Sequence, residues 1–418
     1  MEKYQIIGGN QLTGEIPVAG AKNAALKILA ASLLSTKPLT ITNLPVIEDI
    51  NRMKDLLLDL GAKISNTTTS TIIDTSTVAK TSPTPELVRK LRSSVMLAGP
   101  LLARFGEVTL VHPGGCIIGK RPIDLFLEGF KALGAEVVEQ ADGYQLKAKK
   151  LTGAKIILPK VSVTVTEAIM MTATLANGTT RIINAAMEPE IPALADYLNN
   201  QGAKISGAGT SEIIIEGVQE LSAGEFTLIP DRIETGTFVI LGALTNSEIT
   251  VTNCQPAHLE ILWSILQKIG VPLEIGTNQI TTKPWKKLQA NDLITHEYPG
   301  FPTDLQAPMT VLLTQAQGPS LIHETIFEGR LFYTDILNQM GANIIMCDPH
   351  RVVVNGPTKL FGRHLTSPDL RAGMALVLAA LIAEGNSEIE NIYQIDRGYS
   401  NIVSRLGKLG AKINKITE

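Results

Sequence analysis

The chain of 418 residues has few aromatic residues, few cysteines and little net charge. Phe, Trp and Tyr make up 4% of the sequence and hydrophobic residues 44%, so the core must be built mainly from aliphatic side chains. Three cysteines are an odd and sparse set, which argues against a disulfide framework and favours a reducing, cytoplasmic environment. A formal net charge of −3 predicts no general attraction to nucleic acid or to anionic membranes.

Several other sequence patterns are missing. No apolar run reaches the roughly 18 residues that a membrane-spanning helix needs, so membrane insertion is not expected. The N-terminus lacks the charged and then apolar order of a signal peptide. There is no C-x-x-C or H-E-x-x-H motif and the six histidines are scattered, so we expect no metal site built on His or Cys. The length predicts two domains, each with its own core.

A short pattern, the end of a helix followed by Gly-Ala (once Gly-Val) and a strand, recurs six times. Its glycines lie at positions 61, 134, 202, 270, 341 and 410, spaced by 68 to 73 residues. Near-equal spacing predicts an internal repeat, with each glycine at a helix C-terminus where φ is positive. Each repeat also has an upstream helix rich in Ala, Leu, Val and Met, a composition that predicts burial on every side. Four of these buried helices are predicted to stop at a glycine: Gly106, Gly178, Gly318 and Gly385. Six such units predict two α/β domains with three buried helices each.

One loop, 112–122, is peculiar to the second repeat. Three glycines and two prolines in eleven residues exclude a regular element. Cys116 precedes the cations Lys120 and Arg121, which favour a reactive thiolate; the alternative is a small apolar residue in a turn. The greater length of this repeat favours the reactive cysteine. The segment 114–120 also matches the G-x-x-x-x-G-K of a phosphate-binding loop, but Arg121 replaces the required Ser or Thr, so an ATPase is not expected.

Charged residues stand at the start of the predicted buried helices. A helix N-terminus attracts anions, so the cations Lys22, Arg92 and Arg371 are electrostatically unfavourable there and indicate a bound anion. Asp304 and Asp369 have a simpler interpretation as helix caps.

Arginines also recur where a strand leads into an outer helix. Because equivalent positions of related repeats lie at equivalent ends of a fold, these cations are expected to converge. We expect a cleft between two domains for a ligand with several phosphate or carboxylate groups, which arginine binds in a bidentate way. The arginines in question are Arg121, Arg330 and Arg397.

Five motifs in this order resemble those of the bacterial UDP-N-acetylglucosamine enolpyruvyl transferases. The resemblance extends over essentially the whole chain. It departs from the family pattern at 164–165, where Thr-Val replaces Gly-Ala, and at Gly329, where Asn is common. The motifs are 20–26 (GAKNAAL), 113–116 (PGGC) with Gly119 and 121–122 (RP), 230–236 (PDRIETG), 301–304 (FPTD) and 396–399 (DRGY).

The resemblance implies a fold and a reaction. The fold would be a two-domain inside-out α/β barrel of six βαβαββ-like repeats, three per domain. Domain one would span 21–229 with the Cys116 loop, domain two would combine 1–20 with 230–418, and the active site would lie in the cleft between them. The reaction would transfer the enolpyruvyl group of phosphoenolpyruvate to the 3′-hydroxyl of UDP-N-acetylglucosamine and release phosphate by addition and elimination. It needs no cofactor and begins peptidoglycan synthesis.

The resemblance also implies roles for single residues. Cys116 would be the general acid that protonates C3 of phosphoenolpyruvate, and Asp304 would accept the proton of the attacking hydroxyl. Lys22 and Arg397 would complete the catalytic set, and Lys22, Asn23, Arg121 and Arg397 would bind phosphoenolpyruvate. The UDP-sugar would contact Arg92, Arg121, Pro122, Ile123, Asp124, Leu125, Lys160, Ser162, Val163, Asp304 and Ile326. Arg330, Asp369 and Arg371 would support the reacting centre.

Two other functions are alternatives to this interpretation. Enolpyruvylshikimate phosphate synthase has a similar architecture and also uses phosphoenolpyruvate as its donor. A loop like that of Cys116 is not expected in that enzyme. A catalytically silent relative that senses a UDP-sugar would be expected to lack Cys116 or Lys22, and both are present. The partners expected are therefore the two small-molecule substrates, and a monomer is favoured.

Overall fold

A computed structural model of the chain describes residues 2–114, 123–222 and 224–417. These residues form a mixed α/β fold, as predicted. Three of the predicted site residues, Cys116, Arg121 and Pro122, lie outside the described ranges, so their roles stay predictions. Within those ranges, no helix is both long and apolar enough to cross a bilayer.

The described residues contain 23 strands and 14 α-helices. The strands are β1 Glu2–Ile7, β2 Gly14–Pro17, β3 Leu39–Thr42, β4 Lys63–Asn66, β5 Ser70–Asp74, β6 Glu107–Val111, β7 Glu136–Gln140, β8 Gly143–Lys147, β9 Lys155–Ile157, β10 Thr179–Ile183, β11 Lys204–Ser206, β12 Glu212–Glu216, β13 Gly224–Thr227, β14 Ile249–Thr252, β15 Leu273–Ile275, β16 Gln279–Thr282, β17 Leu293–Ile294, β18 Gly318–His323, β19 Ile344–Asp348, β20 Arg351–Gly356, β21 His364–Thr366, β22 Asn386–Glu390 and β23 Lys412–Thr417.

The helices alternate with these strands along the chain. They are α1 Lys22–Ala31, α2 Glu48–Asp59, α3 Pro85–Lys90, α4 Ala98–Phe105, α5 Asp124–Ala132, α6 Val163–Ala173, α7 Glu190–Asn200, α8 Arg232–Leu244, α9 Glu260–Lys268, α10 Gln306–Leu313, α11 Thr334–Gln339, α12 Leu370–Ile382, α13 Tyr393–Asp396 and α14 Ile402–Lys408. Short 3₁₀ segments cover Ser32–Leu34, Arg92–Leu97, Pro256–Leu259 and Thr303–Leu305.

The chain divides into two compact units, each with its own hydrophobic core. Of the described residues, unit 1 contains 2–19 and 230–417, and unit 2 contains 20–114, 123–222 and 224–229. The first strands of the chain therefore belong to the same unit as its last strands.

Unit 2 is built from three sheets and three largely buried helices, α1, α4 and α6. Its sheets have the strand orders β13-β3-β5-β4, β6-β8-β7 and β11-β12-β10-β9. In α6 every residue from Val165 to Ala173 is buried, as the apolar composition predicts. In α5 only Phe126, Gly129 and Phe130 are buried, and this spacing of three to four residues is that of an outer helix with one apolar face.

Unit 1 also has three sheets and three buried helices, α8, α10 and α12, which are in mutual contact. Its sheets have the orders β15-β16-β14-β2, β17-β18-β20-β19 and β21-β22-β1-β23. Strand β1 is central in the last sheet and pairs antiparallel with both β22 and β23. The N-terminal strand is thus required to join the C-terminal strand to its sheet.

The six glycines of the repeated pattern all have positive φ, between 96° and 107°, which confirms the prediction for them. Each lies one residue past the helix C-cap, and the N–H of the next residue donates to a carbonyl five residues back, as from Ala62 to Leu57. This is the Schellman arrangement that ends a helix.

A related prediction, that buried helices also stop at glycines, is right only for Gly106, which caps α4. Helices α6, α10 and α12 end earlier, at Ala173, Leu313 and Ile382. Gly178, Gly318 and Gly385 have positive φ but lie at the entry to the following strands, where the chain turns into the sheet.

The core of unit 2 contains a buried contact between a lysine and a glutamate that the sequence analysis did not predict. Lys27 of α1 and Glu167 of α6 are both buried, and Lys27 Nζ lies 3.2 Å from a carboxylate oxygen of Glu167. Burial raises the pKa of Glu167 to about 8; Lys27 opposes this rise, while the nearby carboxylates of Glu190 and Glu188 add to it. Glu167 therefore carries a proton at neutral pH.

We expect Glu167 to make the folded state less stable as the pH rises from about 5 to about 8. The unfolded carboxyl releases its proton near pH ~4.3, whereas the folded one keeps it, so stability falls by up to about 1.4 kcal/mol per pH unit between the two pKa values. Glu167→Gln stays neutral, so its melting temperature should rise relative to wild type across this range. Glu212→Gln, at an exposed pair with Arg181, is the control and should show no trend. A constant difference for Glu167→Gln would contradict the protonated state.

Candidate active site

One carboxylate in unit 1 is shared by two arginines. Arg330 Nη1 lies 2.8 Å from Asp304 Oδ1, while Arg371 Nη2 and Nε lie 2.8 and 3.0 Å from Asp304 Oδ2. Both arginine side chains are 7% exposed and that of Asp304 is 24% exposed. Each carboxylate oxygen thus has its own guanidinium partner in a largely desolvated position.

The starts of two buried helices bring these side chains together. Asp304 lies in the 3₁₀ turn that precedes α10, and Arg371 is the second residue of α12. Asp369 caps α12, since its side chain accepts the N–H groups of Arg371 and Ala372 at 2.8 and 3.1 Å. The interpretation as a helix cap is therefore right for Asp369. It is wrong for Asp304, which makes no capping bond because both its oxygens face arginines.

The two arginines determine the charge of Asp304. Burial by itself raises the pKa of this carboxyl, but the charges of Arg371 and Arg330 outweigh burial and hold the pKa far below its usual range. Burial lowers the pKa of the Arg371 guanidinium, but Asp304 and other neighbours more than offset this and raise it above its usual value. Asp304 is consequently an anion at any pH at which the protein works.

Each of the two arginines bound to Asp304 also contacts a hydroxyl group. Tyr399 Oη lies 3.4 Å from Arg371 Nη1 and 2.9 Å from Thr237 Oγ1 of α8. On the other side Arg330 Nη1 donates to Thr303 Oγ1 at 2.7 Å, and that hydroxyl donates to the buried Glu324 at 2.9 Å. Thr237, Thr303 and Glu324 were not predicted as site residues. Thr303 lies within the motif 301–304, which could have indicated it, whereas Thr237 and Glu324 lie in none of the five motifs.

In unit 2 the first residue of α1 is also a paired cation. Lys22 Nζ lies 2.8 Å from Asp49 Oδ2, and the two side chains are 10% and 5% exposed. Carboxylate side chains thus supply negative charge beside Lys22 and Arg371, and the expectation that these cations bind an anion stays a prediction. Asp49 was missed because an acid in the first turn of a helix, here α2, is a common stabilising feature. Asn23, the next residue of α1, is half-buried.

The described start of the loop 112–122 packs against α3 and the residue Arg92 that follows this helix. Arg92 Nη1 donates to the carbonyl of Pro113 at 3.4 Å, and burial lowers the pKa of this guanidinium. A Cβ on Gly114 would lie 1.7 Å from the Arg89 carbonyl oxygen, so only glycine allows this approach. The start of the loop is thereby fixed beside Arg92, a predicted UDP-sugar residue.

The other predicted residues lie mostly at the ends of elements. Ile123 is the N-cap of α5, with Asp124 and Leu125 in its first turn, and Ser162 is the N-cap of α6, with Val163 its first residue. Lys160 is exposed. In unit 1, Ile326 follows β18 and donates its N–H to Glu324 at 2.9 Å, and Arg397 is the C-cap of α13, with Nη1 3.0 Å from Gln394 Oε1. No cluster of His, Cys, Asp and Glu suited to a metal occurs in residues 2–114, 123–222 or 224–417.

Comparison with known proteins gives a consistent result. Residues 6–406 match the family model of EPSP synthase (3-phosphoshikimate 1-carboxyvinyltransferase). The UDP-N-acetylglucosamine 1-carboxyvinyltransferases of Desulfosudis oleivorans and Halothermothrix orenii are 45% and 46% identical, and each match covers 100% of both chains. The crystal structure of the enolpyruvyl transferase NikO from Streptomyces tendae has a TM-score of 0.90 and 25% identity over 100% of this chain and 99% of the other.

EPSP synthase from Acinetobacter baumannii shares the fold, with a TM-score of 0.76, 17% identity and complete coverage of both chains. The chain therefore belongs to the EPSP synthase family of carboxyvinyl transferases. Within that family, the relatives of about 45% identity bear the name of UDP-N-acetylglucosamine 1-carboxyvinyltransferase, which confirms the family predicted from the motifs.

We expect the Lys22–Asp49 pair to be strongly coupled in stability. Asp49→Asn should cost about 3 to 5 kcal/mol, because it removes the carboxylate beside a buried ammonium group. The double variant Lys22→Met/Asp49→Leu should cost less than the sum of the two single changes, since no uncompensated charge remains. Urea unfolding of wild type, Lys22→Met, Asp49→Leu and the double variant gives the four free energies of this comparison, and Asp49→Asn is measured beside them. Glu212→Gln, at the exposed pair, should cost less than about 1 kcal/mol, and an Asp49→Asn effect of that size would refute the coupling.

Proposed function

We propose that the protein transfers the enolpyruvyl group of phosphoenolpyruvate to the 3′-hydroxyl of UDP-N-acetylglucosamine, with release of phosphate. The observation that carries this proposal is the match over 100% of the chain to carboxyvinyltransferases whose name contains that acceptor. The site geometry supports it, because buried, fixed cations suit a donor that bears both a phosphate and a carboxylate.

The proposed reaction begins with addition across the double bond of the donor. Cys116 gives a proton to C3 of phosphoenolpyruvate while the 3′-hydroxyl oxygen of the sugar bonds to C2, and the hydroxyl proton passes to Asp304. The product of this step is a tetrahedral ketal. A proton of C3 then returns to the Cys116 thiolate and restores the double bond as the bond between C2 and the phosphate oxygen breaks. The proton held by Asp304 leaves with the phosphate, so that atoms and charge balance.

The state of Asp304 constrains the timing of the proton transfer. A carboxylate whose pKa lies far below its usual range is a weak base, but it is a strong and fixed hydrogen-bond acceptor. Oδ1 accepts from one arginine nitrogen and keeps a second lone pair, whereas Oδ2 already accepts from two nitrogens of Arg371. We therefore propose that Asp304 first orients the 3′-hydroxyl. It accepts the proton late, when bond formation to C2 has made the hydroxyl acidic.

Three cations are proposed to hold phosphoenolpyruvate: Lys22, Arg121 and Arg397, with Asn23 beside them. Lys22 is already fixed by Asp49, so little side-chain freedom is lost when the donor binds. Apart from Arg92, the proposed UDP-sugar residues of unit 2 that are described lie at the starts of α5 and α6 or just before them, where helix N-termini favour the diphosphate. Arg330, Asp369 and Arg371 are proposed to keep Asp304 in place.

The finer architecture is also a proposal: an inside-out α/β barrel of six βαβαββ-like repeats, three per domain, with the active site in a cleft between the domains. Three sheets and three buried helices in each unit support the repeat count. A cytoplasmic location and a place in peptidoglycan synthesis follow from the proposed reaction. We expect no metal or other cofactor, because protein cations provide the charge that the phosphates need.

The acceptor distinguishes this function from that of the 3-phosphoshikimate 1-carboxyvinyltransferases, which the family model also describes. We expect phosphate release from phosphoenolpyruvate with UDP-N-acetylglucosamine and none above background with shikimate 3-phosphate. Cys116→Ala should fall to background with either acceptor, because no other group is proposed to protonate C3. A coupled phosphate assay measures all four rates. Phosphate release with shikimate 3-phosphate but not with UDP-N-acetylglucosamine would refute the proposal, and so would the absence of phosphate release with both acceptors.

A further inference from the structure

We infer that Tyr4 and Lys415, from the first and last strands of the chain, position Arg397 through a two-point clamp on Asp396. This inference rests on the proposed function, in which Arg397 binds phosphoenolpyruvate. Neither residue of the clamp is proposed to touch a substrate, so both are positioning residues.

The clamp follows from the register of the sheet. In the antiparallel pair of β1 and β23, Tyr4 lies directly opposite Lys415, so the two side chains point to the same face. Tyr4 Oη donates to Asp396 Oδ1 at 2.6 Å, and Lys415 Nζ lies 3.3 Å from Asp396 Oδ2. Each oxygen of the carboxylate thus has a donor from a different strand.

The hydrogen bond from Tyr4 to Asp396 is stronger than the contact from Lys415 to Asp396. It is 1% exposed, whereas the side chains of Lys415 and Asp396 are 37% and 33% exposed. Burial and the neighbouring Asp396 both raise the pKa of the Tyr4 phenol above its usual value, so it remains a hydrogen-bond donor. Lys415 also pairs with Glu2 at 2.8 Å, which divides its charge between two carboxylates.

The segment that carries Arg397 is held at its other end as well. Gly398 packs against Leu370 so closely that a Cβ would lie 2.7 Å from a methyl carbon of that leucine. Tyr399 is bound to Thr237 and lies beside Arg371, as described above. Arg397 therefore lies between two anchors, and its backbone position depends on both of them.

Loss of the Tyr4 hydroxyl releases only the first anchor. A net contribution of about 1 kcal/mol for one hydrogen bond corresponds to roughly a fivefold change in an equilibrium. Because the clamp acts through Arg397, the change should appear in the binding of phosphoenolpyruvate and leave the UDP-sugar site unaffected.

The test is steady-state kinetics of the full-length protein with both substrates varied. Tyr4→Phe should raise KM for phosphoenolpyruvate about 3- to 10-fold, with kcat and KM for UDP-N-acetylglucosamine within about 2-fold of wild type. Lys415→Gln should change the same KM in the same direction by less, and Lys415→Arg should restore it. In an Arg397→Lys background, Tyr4→Phe should have little further effect on that KM.

The matched control is Lys3→Gln. Lys3 is the preceding residue of β1, on the opposite face of the strand, and pairs with Glu388 at 2.8 Å. Its loss should lower the melting temperature without changing KM for phosphoenolpyruvate. The clamp is overturned if Tyr4→Phe shifts only the melting temperature, if it changes both KM values equally, or if its effect on KM persists in full in the Arg397→Lys background. A wild-type protein that releases no phosphate would instead refute the proposed function.

Discussion

The sharing of the Asp304 carboxylate between Arg330 and Arg371 is the interaction on which the site in unit 1 depends. It joins the turn before α10, the start of α12 and the loop after β18 through one anion. Without that anion two largely buried guanidinium groups would lie close together uncompensated, at a cost of several kcal/mol. Through Arg371 and Tyr399 the same cluster reaches the segment that carries Arg397. A single carboxylate thus fixes the positions of residues that the proposed chemistry uses at different steps.

In both units a buried cation at a helix N-terminus is paired with an aspartate. A cation at a helix N-terminus is repelled by the helix dipole, and burial makes this worse. Asp49 compensates Lys22, and Asp304 compensates Arg371. The cations are therefore charged and ordered before any ligand binds, which is the preorganisation that electrostatic catalysis requires. A donor with both phosphate and carboxylate groups carries more negative charge than Asp49 and can compete with it for Lys22.

The sequence predicted those features that depend on local interactions. The positive φ of Gly61 and its five counterparts needs only a hydrogen bond within one turn, so the repeated pattern was sufficient to predict it. The motifs predicted the family. The partners of the charges could not be predicted, because Tyr4 and Asp396 are 392 positions apart and meet only through sheet pairing of β1, β22 and β23. For the same reason Asp304 was interpreted as a possible cap, although its oxygens face two arginines. The roles of Cys116 and Arg121 stay predictions.

The most direct test of this account is the titration of Asp304 in the free protein. Carbon-13 NMR of protein labelled at the aspartate carboxyl groups, with the Asp304 signal assigned by its loss in Asp304→Asn, follows the ionisation of this group alone. The account predicts a signal that stays at the position of an ionised carboxylate from about pH 3 to about pH 9, because Arg371 and Arg330 outweigh burial. A titration at or above the ordinary value of about 3.9 would show that the two arginines do not hold the carboxylate as described and would contradict the account.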